Sequence, residues 1–393
     1  MEYNISASQP VPSALSPPLV DFARKLLLHD KPRFILSVMG VAFAVTLVLL
    51  QIGLFMGILD NASVTIDHLD ADIWITSKNT PNIDFAHTFP ETYLQRVRSV
   101  PGVERADNLI IFYFLIALPT GSQETVLVYA LEDFARWRFP WYIVEGDLND
   151  LRRGRYFFMD DSAEKRFGPF TVGEYREIVV HRLKIVGRTR EAISFTTSPI
   201  VFMDYRIAQA LAPDILSGRT TYIIVKLTPG ADIATVSAEL RRRLPHNDIH
   251  SKAEWRDISL DYWVTNTGIG LNMYVSAFLG ALVGVVIVAQ TLYTSTMAHL
   301  REFGVIKAIG GSNADCYKIL AQQAVTAALL GYGSGYLLAH AMGTVVAHLD
   351  LKLMITTELS VAVFAGTLVL CLAAALFSFR SIASLDPALV FRG

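Results

Sequence analysis

The chain places few side chains where they would do chemistry unaided. Its nine histidines are scattered, with no H-E-x-x-H pair; only His340 and His348, eight residues apart, have a spacing that aligns them about two turns apart on one helix to share a metal. Gly310, Gly311 and Ser312 lack the lysine and the preceding strand of a phosphate-cradling loop, so the chain is expected not to hydrolyse ATP by itself. No G-x-S-x-G nucleophile elbow occurs. Cys316 and Cys371 are too few for a disulfide framework or a cysteine metal cluster. The remaining polar candidates, Gln51, Gln290, Gln322, Gln323 and His340, sit in apolar stretches without the acid or amine that an ion-coupled carrier uses. No metal and no resident cofactor are expected.

The elements that hold these residues belong to a membrane. Of 393 residues, 52% are hydrophobic and 18% charged, against about 25% charged in an average soluble chain. Lys and Arg number 34 and Asp and Glu 36, a net charge of −2 that supplies no basic field for nucleic acid. Stretches 34–59, 262–300, 319–349 and 359–379 contain no Asp, Glu, Lys or Arg. Each meets the roughly 20 apolar residues needed to cross about 30 Å of hydrocarbon. The first begins too late and runs too long for a cleaved secretion signal and reads as a retained anchor. Ahead of it, Leu19, Phe22, Ala23, Leu26 and Leu27 form an apolar stripe that Pro32 interrupts, the pattern of a helix lying on the bilayer.

Basic residues flank the spans unequally. Arg24, Lys25, Lys31 and Arg33, then Arg301, Lys307 and Lys318, then Arg380 and Arg392 mark one side, whereas the other has only Arg256 and Lys352 near the bilayer. Because Lys and Arg are retained in the cytoplasm, the expected order is a cytoplasmic N-terminus (1–33), a first span (34–59), an extracytoplasmic domain with stalk (60–268), a second span (269–298), a cytoplasmic connection (299–318), third and fourth spans (319–349 and 359–379) and a cytoplasmic tail (380–393). Cys316 and Cys371 then lie at different depths, too far apart to bridge.

Residues 60–268 regain normal polarity and turn punctuation, as a folded α+β domain does. Strands are expected over 71–76, 103–117, 125–131, 177–186, 200–203, 220–227 and 248–251, with helices over 90–100 and 231–244. Two helix-and-strand units at the ends of the insert suggest a split ferredoxin-like core. Phe134, Trp137, Phe139, Trp141 and Tyr142 read as core, with a partner-docking surface as the alternative. Residues 252–264 look helical and run toward the second span as a rigid stalk.

Gly53 and Gly57, Gly280 and Gly284, and Gly331 and Gly335 have the small-xxx-small spacing that lets helices approach closely. Between the second and third spans, Ser312 followed by Asp315 fits a capping box for the next helix. The same connection reads Arg301, Glu302, Phe303, Gly304, Val305, Ile306, Lys307, Ala308, Ile309, Gly310, Gly311, Ser312, which resembles the signature of FtsX/MacB-type ABC transporter permeases. Ser384 to Arg392 resembles that family's closing L-D-P-A motif, and Gly40 to Ala44, Gln51 to Gly53 and Leu69 to Asp72 resemble its DevC-like subgroup, whereas the middle of the insert matches poorly. The resemblance implies four transmembrane helices and a large MacB-like periplasmic core domain in a bacterial inner membrane. It further implies a permease dimer that couples to a separate ABC ATPase, which binds ATP and Mg, through Arg301, Glu302, Phe303, Gly304, Val305, Lys307, Ala308 and Gly310. An amphiphilic or periplasmic cargo would leave by mechanotransmission through a periplasmic adaptor and an outer-membrane channel. An FtsX-like activator of a cell-wall hydrolase and a lipoprotein-releasing permease are the alternatives.

Overall fold

Residues 31–196, 198–308, 312–348 and 351–383 are described by a computed structural model. The expected interfacial helix at Leu19 to Leu27, Gly310, and the closing motif from Ser384 lie outside these residues. The chain divides into an insert unit, Phe55–Asn272 with Leu351 and Lys352, and a helical unit formed by the other described residues.

Helix α1 (Lys31–His68) runs for 38 residues. Pro32 stands in its first turn, where a missing N–H breaks no intrahelical bond. At its other end the Lys252 Nζ donates to the carbonyls of Asp67 and Leu69 at 2.8 and 3.0 Å, satisfying oxygens that the helix leaves open.

The insert continues with β1 (Ile73–Ser77), β2 (Phe89–Pro90), α2 (Tyr93–Arg98), β3 (Val103–Ala117), β4 (Gln123–Leu131), β5 (Ile143–Glu145), β6 (Tyr156–Asp160), α3 (Ala163–Phe167), β7 (Tyr175–Ile178), β8 (His181–Thr189), β9 (Ile200–Asp204), α4 (Tyr205–Leu211), α5 (Pro213–Leu216), β10 (Arg219–Thr220), β11 (Tyr222–Leu227), α6 (Ile233–Arg243), β12 (Asn247–Ser251) and α7 (Lys252–Asp261). Strands β12, β1, β11 and β3 lie side by side and antiparallel, with α2 leading into β3 and α6 joining β11 to β12. This order is the expected split ferredoxin-like core. Alternation along the strands sends Ile73, Ile75, Ile223 and Val225 to the face covered by Leu94 and Val97 of α2 and Val236 and Leu240 of α6. Asp70 and Asp72, ahead of β1, have a structural use: Lys226 of β11 reaches them at 2.7 and 3.1 Å, and Arg105 of β3 reaches Asp70 at 2.7 Å.

The long strand β3 also starts a second assembly. Its C-terminal half pairs with β4, then β9, β6, β8 and β7 follow, and β7 returns to β3, so six strands close on themselves. The pairs β4 with β9 and β6 with β8 are parallel, joined through long connections. The expected single strand over 177–186 is instead the hairpin β7–β8, turning at Val179 with φ +59°. A β-branched residue rarely adopts this conformation; here the Val179 N–H donates to the Leu115 carbonyl at 2.7 Å, which ties the turn to β3. The aromatic run is core: Phe134, Trp137 and Phe139 are nearly inaccessible, and Phe134, Phe139 and Trp141 gather about Phe202, while Tyr142 alone is exposed.

The stalk is not a single helix. After α7 the backbone widens into a π-type turn at Tyr262–Asn266, and Gly268 at φ +71° stops it before α8 (Ile269–Ala298) begins. Glycine takes this left-handed conformation at no steric cost, which the expectation of an unbroken stalk overlooked. The rest of the helical unit is α9 (Leu300–Ala308), α10 (Asn313–Ala347) and α11 (Thr357–Ala383). By length and composition α1, α8 and α11 are able to cross a membrane. The remaining expected span corresponds to α10, a helix of 35 residues whose apolar character is diluted by Gly331, Tyr332, Gly333, Ser334, Gly335, Tyr336 and His340.

One buried acid in the insert sets a pH dependence. Asp84 is 4% exposed, and burial pushes its carboxyl up to about 7. A folded state that holds the proton more tightly than the unfolded chain loses stability as pH rises from the ordinary carboxylate range toward 7, by roughly 3–4 kcal/mol over the window. Thermal unfolding of the detergent-solubilised chain is therefore expected to give a higher midpoint at pH 5 than at pH 8, and Asp84→Asn is expected to flatten that difference. An unchanged slope in the variant would show that other groups cause it.

Candidate functional site

The connection between α8 and α10 contains the one short amphipathic helix of the helical unit. In α9, Phe303 is 1% exposed and packs into the unit's core, in the cluster that includes Leu292, Cys316 and Leu320, and Gly304 is buried beside it. The opposite side presents Arg301, Glu302 and Val305, all exposed, whereas Lys307, one turn after Phe303 on its side of the helix, is half-buried. Just before the helix, His299 Nδ1 lies 2.5 Å from Glu302 Oε2, an i,i+3 contact that fixes the carboxylate on the first turn. Ser312 and Asp315 then form the expected reciprocal capping box at the start of α10: the Ser312 hydroxyl accepts the Asp315 N–H at 3.2 Å, and Asp315 accepts the Ser312 N–H at 3.1 Å.

Of the sequence-derived coupling residues, the structure thus gathers Arg301, Glu302 and Val305 on one accessible face and turns Phe303 and Gly304 inward, so these two position the helix. Ala308 is its last residue, and Gly310 lies outside the described residues. This face holds no nucleophile–base pair; an acid, a base and an apolar side chain on a buried pivot suit it to binding another protein. His340 and His348 do not join it, each directing Nδ1 at a carbonyl of its own helix, Tyr336 and Thr344.

The glycine pairs fall against α1 in two cases of three. A β-carbon at Gly280 or Gly284 of α8 would collide with Leu47 or Ala44 of α1, and one at Gly331 or Gly335 of α10 would stand 2.5 Å from Val41 and 2.7 Å from the Ala42 carbonyl oxygen. Helix α1 is therefore seated between two glycine faces. Gly53 and Gly57 instead meet the extended 351–356 segment: a β-carbon on Gly53 would stand 2.8 Å from the Leu353 side chain, and one on Gly57 would strike the Lys352 carbonyl. Since backbone cannot move aside as a side chain can, Gly335→Leu is expected to lower stability by about 1–3 kcal/mol through overpacking. Gly333→Leu, two residues away with open space about it, is the matched control and is expected to be near neutral. Thermal midpoints of the two variants in detergent check this, and equal midpoints would remove the close packing from the account.

Sequence reasoning passed over the hydroxyl contacts between helices. Ser37 donates to Thr291 at 2.6 Å, Thr46 reaches the Gly335 carbonyl at 3.0 Å, and Thr296 and Ser378 are 3.1 Å apart. No pattern marks them in advance, because Ser and Thr in helices commonly bond their own preceding turn instead, as Thr46 and Thr291 also do.

Residues 34–243 match the MacB-like periplasmic core domain, and residues 274–387 match the FtsX-like permease C-terminal domain. A protein of Mycobacterium tuberculosis named as an uncharacterized ABC transporter permease is 24% identical over 92% of this chain and 96% of its own length. One of Methanocaldococcus jannaschii, named likewise, is 20% identical over 95% of this chain and 98% of its own. The solved periplasmic region of MacB from Actinobacillus actinomycetemcomitans aligns over 48% of this chain and 92% of its own with 11% identity and a TM-score of 0.37.

Proposed function

We propose, from the premise that this chain belongs to the FtsX/MacB-type ABC transporter permease family, that it is the membrane subunit of an exporter and takes its energy from a separate ABC ATPase. The observation that carries this reading is the exposed Arg301, Glu302 and Val305 face on a helix pivoted by buried Phe303, a docking knob without catalytic groups. ATP and Mg would be held by the partner. The four apolar stretches supply four spans, the distribution of basic residues puts both termini in the cytoplasm and the insert outside, and the family membership implies a bacterial inner membrane with a periplasmic insert. A second copy of the chain would complete a symmetric dimer with two docking points.

In this reading ATP-driven closure of the ATPase pair moves the permease helices and rearranges the inserts, so that cargo leaves through a periplasmic adaptor and an outer-membrane channel. The cargo in this reading is an amphiphile or another periplasmic molecule. The break at Gly268 supplies a bend within the second strut, whereas α1 has none.

Mass spectrometry of proteins and lipids retained by the gently solubilised, affinity-tagged chain tests this. Recovery of an ABC ATPase together with a periplasmic adaptor is the expected result. A peptidoglycan hydrolase recovered without an adaptor would replace export by regulation of a cell-wall enzyme, and retained triacylated protein would replace it by lipoprotein release.

A further inference from the structure

We propose that the insert carries a binding site for a small organic ammonium group, in the cavity between the 80–87 loop and β3, with the Asp84 carboxylate as counter-ion and the rings of Phe85 and Tyr113 as walls. The cavity measures about 240 Å³, and its lining includes Asp84, Phe85, His87, Phe112 and Tyr113. It lies wholly within the insert and is independent of the partner reading above.

Asp84 is the observation that asks for a ligand. It is 4% exposed, and its Oδ2 has no hydrogen-bond partner among the described residues. A buried carboxylate oxygen left open costs the full desolvation of that atom, so such atoms call for a partner. The loop that presents it is held firmly from behind. Asn82 Oδ1 accepts the N–H groups of Asp84 and Phe85 at 3.1 and 2.9 Å, and the Tyr222 hydroxyl lies 3.2 and 2.9 Å from the carbonyls of Asn82 and Ile83. Among the described residues no cation answers the carboxyl: burial alone acts on its acidity. The titratable groups facing it are the phenols of Tyr113 on β3, Tyr129 on β4 and Tyr222 on β11, and burial first, then the Asp84 charge, pushes each of them upward. His87 of its own loop lines the same cavity.

The chemical class follows by elimination. A carboxylate repels an anion. A divalent metal would need further acidic or imidazole ligands, and no group of three His, Cys, Asp or Glu suited to one occurs among the described residues. Aromatic walls about a single acid fit an ammonium, whose charge is attracted both to the carboxylate and to ring faces. Phe85, 40% exposed and 6.5 Å from the Tyr113 ring, is the open wall that a bound ligand would cover.

Isothermal titration calorimetry of n-butylammonium into the full chain in non-ionic detergent tests the site. Saturable binding is expected at pH 8, with none for n-butanol, which has a similar shape without the charge. The probe stays protonated at pH 5.5, but a carboxyl pushed up to about 7 does not stay ionised there. Affinity is therefore expected to fall about thirtyfold between pH 8 and pH 5.5. Asp84→Asn is expected to abolish binding. The proposal is overturned if n-butylammonium gives no saturable heat at pH 8, if n-butanol binds equally well, or if Asp84→Asn binds like the parent chain. Should that variant not fold, Phe85→Ala decides: about a fivefold loss supports the site, and unchanged affinity overturns it.

Discussion

Exchanging Glu302 for arginine and Val305 for aspartate together is expected to strip the chain of its ATPase partner while leaving it folded and in the membrane. Both side chains are exposed on α9. Charge reversal and an acid in place of an apolar contact introduce repulsion and an unpaired group into a docking face, and each change at the centre of an interface costs about 2 kcal/mol or more. Even one such loss is about thirtyfold in affinity. Co-purified ATPase and transport-coupled ATP hydrolysis should both fall by at least that factor, with the thermal midpoint of the chain lowered only by the loss of the His299–Glu302 contact. Phe303→Ala should behave differently: it opens a cavity in the core of the helical unit, so stability drops first and partner loss follows from it. Normal ATPase recovery by the exposed-face double variant would place the docking point elsewhere.

Trp137→Ala is expected to be the most damaging single truncation in the insert. The indole is fully buried, its Nε1–H donates to Asp107 Oδ2 at 2.7 Å, and the Arg105 guanidinium lies over the ring at 4.8 Å. Asp107 is itself buried and also takes a hydrogen bond from Arg98. Truncation removes a large apolar volume and leaves Asp107 short of a donor, together about 3–5 kcal/mol. Trp137→Phe keeps most of the packing and loses the hydrogen bond, so it should cost roughly 1–3 kcal/mol. Chemical unfolding of the solubilised chain orders the three proteins; an alanine variant within 1 kcal/mol of the parent would contradict the burial.

The segment from Leu69 to Asp72 and the aromatic run show how local pattern and tertiary use part company. Asp70 and Asp72 were visible as a motif, but their ion pairs with Lys226 and Arg105 join residues far apart in sequence. Phe134, Phe139 and Trp141 read as core from composition, yet their common neighbour Phe202 follows more than 60 residues later on β9. Within the coupling segment the residue types pointed to a docking element, but they did not tell Phe303 from Val305. The helical phase that buries one and exposes the other depends on which side of α9 the neighbouring helices occupy.

Composition and charge spacing alone established the long apolar stretches, the polar insert between the first two and the capped start of α10, because each of these rests on interactions within a few residues or on average polarity. The six-stranded closure through β7, the hairpin turn at Val179, the break at Gly268, the glycine faces gripping α1 and the unpartnered Asp84 were decided only in three dimensions. Each depends on contacts between segments distant along the chain, or on a backbone conformation that only those contacts make worth adopting.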